Sequence, residues 1–297
     1  MPDLDQSPAG RAISRPQEVE RSIIKKFRRS IWNRMIGGIK DYKLISPGDR
    51  IAVCISGGKD SMLMGAAFRH LQKYSEIPFE AVYLTMDPGY ASANRALIEQ
   101  NAQAMGLDLN FFQTDIFNIV SKVDQSPCYL CARMRRGFLY SNAQKLGCNK
   151  IALGHHFDDV IETVLMSMFY SAEYKTMMPK LHSTNFPGME LIRPLYQVRE
   201  ADIVAWAKYN RLQFLQCACR FTEENPHMEW GGDSKRAEMK ALLKQLREVN
   251  PQVDINIFQS LHNVNLETVI GWERFGKQYS FLDDYDSPDR DSHTWES

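Results

Sequence analysis

Between Glu18 and Tyr42 the apolar residues Ile23, Ile24, Phe27, Ile31, Met35 and Ile36 recur at helical steps, which predicts one amphipathic helix with Lys and Arg on its other face. The pattern then changes. Short apolar runs at Arg50–Ile55, Phe79–Met86, Leu107–Phe112 and Lys150–Leu153 predict strands. Helical patterns at Ser61–Tyr74, Ser92–Met105 and Leu130–Leu146 lie between them, the last after a loop around Ser126-Pro127. Strands and helices in alternation predict an α/β fold, a parallel sheet with helices on both faces. After Gly154 a helix is predicted over Asp158–Tyr170, then an irregular stretch with a loop at Ser183–Gly188. Helices resume near Glu200–Asn210, Ser234–Val249 and Asn256–Val264. The organisation read from this is a disordered lead at 1–16, an N-terminal helix at 17–45, an α/β domain at 46–195 and a mainly helical region at 196–297.

The 297 residues are 44% hydrophobic, enough for one large core and a smaller appended unit. No apolar run approaches the roughly 20 residues of a membrane helix. The polar, acidic start is unlike a secretory signal, so a cytoplasmic location and no membrane partner are expected. Formal charge is zero, 36 basic against 36 acidic residues, which gives no support to nucleic-acid binding by bulk charge. The charge is nevertheless segregated. Arg21–Arg34 and Cys131–Arg136 are basic and Asp283–Glu296 is acidic, which permits a basic face on a neutral protein.

The candidate chemistry begins where the first strand ends. Ser56-Gly57-Gly58-Lys59-Asp60-Ser61 joins a buried strand to an apolar helix. Glycines let backbone N–H groups approach an oxyanion, the helix N-terminus favours negative charge, and Lys59 adds a full positive charge. The spacing is not that of a Walker A loop. Further on, Cys128-Tyr-Leu-Cys131 puts two thiols three residues apart at a helix start, with Cys217-Ala-Cys219 about 90 residues later. Such a set suits zinc or an iron–sulfur cluster, and equally a redox pair or core cysteines. A helix N-terminus and Arg133, Arg135 and Arg136 favour thiolate. Cys54 and Cys148 fit the packing. Gly154-His155-His156-Phe157-Asp158-Asp159 ends the fourth strand at the sheet edge that carries the phosphate loop. There Asp159 suits Mg²⁺ or ribose, whereas Glu162 is expected on the solvent face of the following helix. Met177, Met178, Phe169 and Tyr170 are expected in the core.

Taken together, Ser56–Ser61, Cys128–Tyr140 and Lys150–Tyr170, with Pro179-Lys180-Leu181 and Ile192-Arg193-Pro194-Leu195, resemble the TtcA-type tRNA 2-thiocytidine synthetases of the PP-loop ATP pyrophosphatase superfamily, relatives of the TtuA-type tRNA thiolases. The resemblance runs from Phe27 to Cys219. It implies a HUP-type, Rossmann-like domain that binds ATP through Ser56, Gly57, Gly58, Lys59, Asp60, Ser61, Met86, Gly154, His155 and Asp159, with Lys59 and Asp60 catalytic. It also implies Mg²⁺ and a 4Fe–4S cluster on three cysteines. Cys128 and Cys131 match the first two ligands. The third is Cys217 or Cys219, because the family's Pro-Cys-x-x-Cys segment here reads Leu215-Gln-Cys-Ala-Cys219. The chain has no cysteines left for the paired zinc modules of TtuA-type proteins.

The implied reaction adenylates a pyrimidine C2 carbonyl, most simply that of cytidine in the anticodon region of tRNA, then inserts sulfur with release of AMP and pyrophosphate. A cysteine desulfurase or free sulfide would donate the sulfur, and a homodimer is suggested. Arg133, Arg135, Arg136, Lys175, Lys180 and Arg193 are candidate phosphate contacts on tRNA. Another nucleoside, a small-molecule acceptor, or a sensor without turnover remain the alternatives. Residues 223–297 carry no motif with readable chemistry.

Overall fold

The computed structural model describes residues 13–116, 127–215 and 231–286, with backbone alone at 127–129, 131, 132 and 231–234. Six strands form the main sheet: β1 (Arg50–Cys54), β2 (Glu80–Asp87), β3 (Leu109–Gln113), β4 (Lys150–Ala152), β5 (Lys180–His182) and β6 (Glu190–Ile192). Their order is β3-β2-β1-β4-β6-β5, with every neighbour parallel except β5, which runs antiparallel to β6. The period of two divides β1 between two cores. Ile51, Val53 and Ile55 join one cluster, and Ala52 and Cys54 join the other. A parallel sheet buried on both faces therefore reads as a continuous apolar run rather than as an alternation.

The helices of the α/β unit are α3 (Lys59–Tyr74), α4 (Ser92–Met105), α5 (Pro127–Lys145), α6 (Phe157–Ser171) and α7 (Glu200–Tyr209), preceded by α1 (Arg15–Arg21) and α2 (Asn33–Asp41). The first cluster draws on α1, α3 and α4, and the second takes Tyr140 and Ala143 from α5. At the N-terminal edge of the sheet the buried Lys150 ammonium lies 2.8 Å from Asp49 and 3.0 Å from Glu190, and donates to the Leu44 carbonyl oxygen. That triad ties β4 and β6 to the loop before β1.

The single N-terminal helix expected from periodicity is interrupted. Two wide turns, Ser22–Lys26 and Arg28–Trp32, separate α1 from α2. In each, a backbone N–H reaches five residues back, Phe27 to Ser22 and Trp32 to Phe27. Over the eight residues from Ile23 to Ile31 a regular helix would turn the second side chain roughly 80° away from the first. The widened turns absorb that drift, and both isoleucines are buried.

Three further expectations are corrected. Strands β5 and β6 stand where the apolar pattern predicts no strand, because three-residue strands leave little alternation to read. Phe169 and Tyr170, in the last turn of α6, and Met178, in the irregular stretch between α6 and β5, are exposed. Glu162 is buried among Arg236, Lys240 and Asp159 rather than facing solvent.

The chain divides into two compact units, residues 1–241 and 242–297. The helix α8 (Gly231–Val249) begins in the first and ends in the second. In the second unit, Arg247 pairs at 3.0 Å with Asp254 of α9 (Val253–Ser260), and β7 (Gly271–Arg274) forms a hairpin with β8 (Lys277–Ser280). That hairpin, with Trp272 stacked on Tyr279, was not expected in a region read as helical.

Candidate active site

The loop from β1 to α3 is fixed by its own serines. Ser61 Oγ accepts from the Ser56 backbone N–H at 3.1 Å, lies 3.1 Å from Ser56 Oγ and donates to the Gly58 carbonyl oxygen at 3.0 Å. Gly57 has a φ of 87°, and a Cβ there would lie 2.7 Å from Ile98, so both conformation and space require glycine. Gly58 caps α3, leaving the first N–H groups of that helix for an anion. Gly154, just beyond β4, lies flush against the same loop. A Cβ at that position would sit 3.0 Å from the Ser61 backbone nitrogen.

Between the loop, β2, α5 and the start of α6 lies a cavity of about 410 Å³. It brings together Ser56, Asp60, Ser61, Met86, Gly154, His155 and Asp159 of the ATP-site residues expected from sequence, with Arg135 and Tyr90 added. Gly58 and Lys59 border a second groove on the other side of the loop, of about 560 Å³, reached also by Ser56 and Asp60. The lining of the first cavity combines apolar side chains (Ile55, Met86, Leu139, Leu153) with polar ones, the mixture a nucleotide needs for its base and its phosphates. His155 Nδ1 and Asp60 Oδ1 are buried without a hydrogen-bond partner among the described residues. Orphaned polar atoms lining a cavity fit a polar ligand.

Lys59 is held from two sides, its ammonium 3.3 Å from Asp60 and 2.9 Å from Glu200. Burial works against its charge, but these two carboxylates outweigh it and raise its pKa. Glu200 is likewise opposed by burial, yet Lys59, Lys240 and His156 hold it at about 2. Asp60 moves upward, chiefly from burial. His155 falls to about 4 through burial and the neighbouring Arg193 charge, so its imidazole is neutral near pH 7. His156 caps α6 reciprocally with Asp159: the His156 N–H donates to Asp159 at 2.9 Å, and His156 Nδ1 accepts from the Asp159 N–H. Asp158 instead accepts from the Glu200 N–H at 2.7 Å, so α6 anchors the start of α7.

Sequence reasoning missed Glu200, Arg236 and Lys240. Arg236 donates to Asp159 at 2.8 Å and lies 3.4 Å from Glu162, and Lys240 sits 3.1 Å from Glu200 and 3.8 Å from Glu162. Two cations four residues apart on α8 thus engage three carboxylates behind the phosphate loop. Only the i,i+4 spacing of Arg236 and Lys240 signalled this in the sequence, and many solvated helix faces share it. Burial overrides the two cations at Glu162 and raises its pKa to about 7.

Cys128 and Cys131 fall within the first turns of α5, and Arg135 and Leu139, further along the same helix, line the cavity. Cys217 and Cys219 lie outside the described residues. The described chain before them ends at Leu215, whose N–H donates to the Gly57 carbonyl oxygen at 3.3 Å. Of the expected tRNA contacts, Arg133 and Arg136 are exposed on α5. Lys175 pairs with Glu173, and Lys180 donates to the Lys43 carbonyl oxygen. Arg193 is only 9% exposed and donates to the Met178 carbonyl oxygen. It contributes positive charge beside His155 rather than a surface contact.

A glycine loop between strand and helix, without the Walker spacing, beside a cavity of mixed apolar and polar lining at the carboxyl edge of a parallel sheet defines a PP-loop nucleotide-binding α/β protein. A protein-family profile described as a PP-loop domain, ATP_bind_3, matches residues 26–219. The tRNA-cytidine(32) 2-sulfurtransferase of Geotalea uraniireducens (strain Rf4) is 38% identical over 238 residues, which are 79% of this chain and 91% of that protein. The protein of the same name from Geobacter sulfurreducens is 36% identical over 239 residues, 80% of this chain and 90% of the relative. A U34-tRNA thiolase, NcsA, from Methanococcus maripaludis, solved with its [4Fe-4S] cluster, shares the fold at a TM-score of 0.58 and 20% identity, over 86% of this chain and 82% of that one. The chain belongs to the PP-loop domain family and, within it, to the tRNA-cytidine(32) 2-sulfurtransferase family.

Proposed function

We propose that the protein is an ATP-dependent tRNA thiolase that replaces the C2 carbonyl oxygen of a cytidine in tRNA with sulfur, releasing AMP and pyrophosphate. One observation carries the reading. The phosphate loop is complete and closed against Gly154 in a chain 38% identical, over 79% of its length, to a tRNA-cytidine(32) 2-sulfurtransferase.

In the first step the cytidine carbonyl oxygen attacks the α-phosphorus of ATP and pyrophosphate leaves. The free N–H groups at the start of α3 and the Lys59 ammonium stabilise the charge that develops on the phosphates. Glu200 and Asp60 hold Lys59 at the loop before ATP arrives, and the phosphates then compete with them for the ammonium. Asp60 and Asp159 offer carboxylate oxygens for Mg²⁺. In the second step a sulfur nucleophile attacks C2, and the C–O bond breaks with AMP as leaving group. Neutral His155 can hydrogen-bond there without adding charge.

Cys128 and Cys131 fall in the first turns of α5, the helix that also carries the cavity residues Arg135 and Leu139, and with Cys217 they are the cysteines that would hold a cluster. A 4Fe–4S cluster on three cysteines would supply a Lewis-acidic iron that holds sulfur deprotonated. A cysteine desulfurase or sulfide would provide that sulfur, in the cytoplasm, and a homodimer is the assembly to test.

The reading is tested by nucleoside mass spectrometry of tRNA from a deletion strain. Loss of 2-thiocytidine, restored by the wild-type gene but not by Lys59→Ala, is the expected outcome. Unchanged 2-thiocytidine would overturn it.

A further inference from the structure

We propose that the groove between the N-terminal helical segment and the C-terminal end of α7 is a docking site for the RNA phosphate backbone. The proposal rests on tRNA being the substrate and assigns the surface that holds it.

The groove has a volume of about 660 Å³ and is lined by Arg15, Arg21, Lys25, Lys26 and Arg211, with Glu18 as the opposing charge and Tyr209 beside them. Arg15 is already engaged by Glu18 and the Asn210 carbonyl oxygen. Among the described residues, Arg21, Lys25, Lys26 and Arg211 have no acidic partner. Tyr209 is 58% exposed, and the Lys26 ammonium lies 6.0 Å from its ring centroid. Cations interleaved with an exposed aromatic suit phosphates and a stacked base.

Buried hydrogen bonds tie the two sides of the groove together. Ser22, buried in the first wide turn, accepts from Trp206 Nε1 and Asn210 Nδ2, both at 3.0 Å, and donates to the Val19 carbonyl oxygen. The basic turn and α7 therefore form one body. The other end of α7 carries Glu200, which grips Lys59. Ten residues of helix place the groove about 15 Å from the phosphate loop. The second groove beside the loop, bordered by Lys59, Ala207 and Lys208, follows the same helix and continues the track. A strand held at Tyr209 and Lys25 could thus extend along α7 towards Lys59.

Basic helical surfaces also bind anionic membranes, but those use an exposed apolar face. Here Val19, Ile23, Ile31 and Met35 are all buried, and Ile13 is the one aliphatic side chain among the lining residues, exposed but too small for an apolar face.

The test is fluorescence-anisotropy binding of unfractionated tRNA to the holoprotein at about 50 and about 200 mM salt. Wild type is compared with Lys25→Glu/Lys26→Glu and with the milder Arg211→Gln. The double variant should weaken tRNA binding at least about tenfold and flatten the salt dependence by one to two units of slope, roughly one for each phosphate no longer neutralised. Arg211→Gln should move both in the same direction by about half, and melting temperature and ATP affinity should stay at wild-type values. Wild-type affinity and slope in both variants would overturn the groove while leaving tRNA thiolation intact. Failure of the wild-type holoprotein to bind tRNA at all would overturn both. Binding to phosphatidylserine vesicles that both variants lose, with tRNA binding unchanged, would assign the groove to a membrane and overturn the proposal.

Discussion

Gly154→Ala isolates the closeness of β4 to the phosphate loop. The Gly154 backbone does not lie in the left-handed region, so alanine is permitted there and the cost is one of space. Its Cβ would lie 3.0 Å from the Ser61 nitrogen and 3.2 Å from the Asp60 carbonyl carbon and the Ser61 Cα. All three are backbone atoms and none can rotate away. Ordinary contact begins at 3.4 Å, so the start of α3 must retreat by about 0.4 Å. Misplacing catalytic groups by about 1 Å costs about a hundredfold, so this shift should lower kcat/KM for tRNA-dependent AMP formation by about five- to tenfold. Overpacking should also cost about 1–3 kcal/mol of stability. Gly137→Ala is the control. A Cβ there meets nothing within 4 Å on α5, and alanine should raise stability by up to about 1 kcal/mol with ATP affinity unchanged. ATP titration calorimetry, AMP formation and thermal unfolding on the three proteins decide the matter. Wild-type kcat/KM and melting temperature in Gly154→Ala would refute the close approach of β4 to the loop.

Lys59→Ala should reduce AMP formation by at least about a hundredfold, because the phosphates lose their countercharge, with iron content unchanged; AMP formation within tenfold of wild type would remove Lys59 from the chemistry. Cys128→Ala, purified anaerobically, should lose iron, acid-labile sulfide and the broad visible absorbance near about 400 nm while still binding ATP; retained iron would assign the cluster elsewhere. Glu162 binds its proton more tightly folded, at about 7, than unfolded, so stability falls as pH rises from about 4.5 through about 7. Glu162→Gln removes that pH dependence, and its stability relative to wild type should grow by up to about 3 kcal/mol between about pH 5 and about pH 8 in urea unfolding. A relative stability that shrinks over the same range would mean that Arg236 and Lys240 outweigh burial and hold the carboxylate ionised.

The α/β core was legible because its signals are local. Cys54 and its neighbours make an uninterrupted apolar run, Gly57 and Gly58 punctuate it, and Ser92–Met105 has a clean helical period that the structure reproduces at both ends. The cavity wall was legible where motif and strand end coincide, at Ser61, Gly154 and Asp159. Glu162 was misread because a single acidic residue on a helix carries no mark of what covers it. What covers it is Arg236 and Lys240, more than 70 residues later. Glu200 was missed for the same reason, since its contact with Lys59 spans 141 positions. The wide turns at Ser22–Trp32 were hidden because one extra residue per turn barely disturbs a short apolar period. Strands β5 and β6 were hidden because three residues hold little more than one alternation.

The most direct test is a single anaerobic reaction containing reconstituted protein, ATP, Mg²⁺, sulfide and tRNA from a strain lacking the gene. AMP, pyrophosphate and thiolated nucleoside are measured on the same samples. The expected result is 2-thiocytidine formed in step with AMP and pyrophosphate, and none of the three with Lys59→Ala. AMP and pyrophosphate without any thiolated base would contradict tRNA thiolation and leave an adenylating enzyme with a different acceptor.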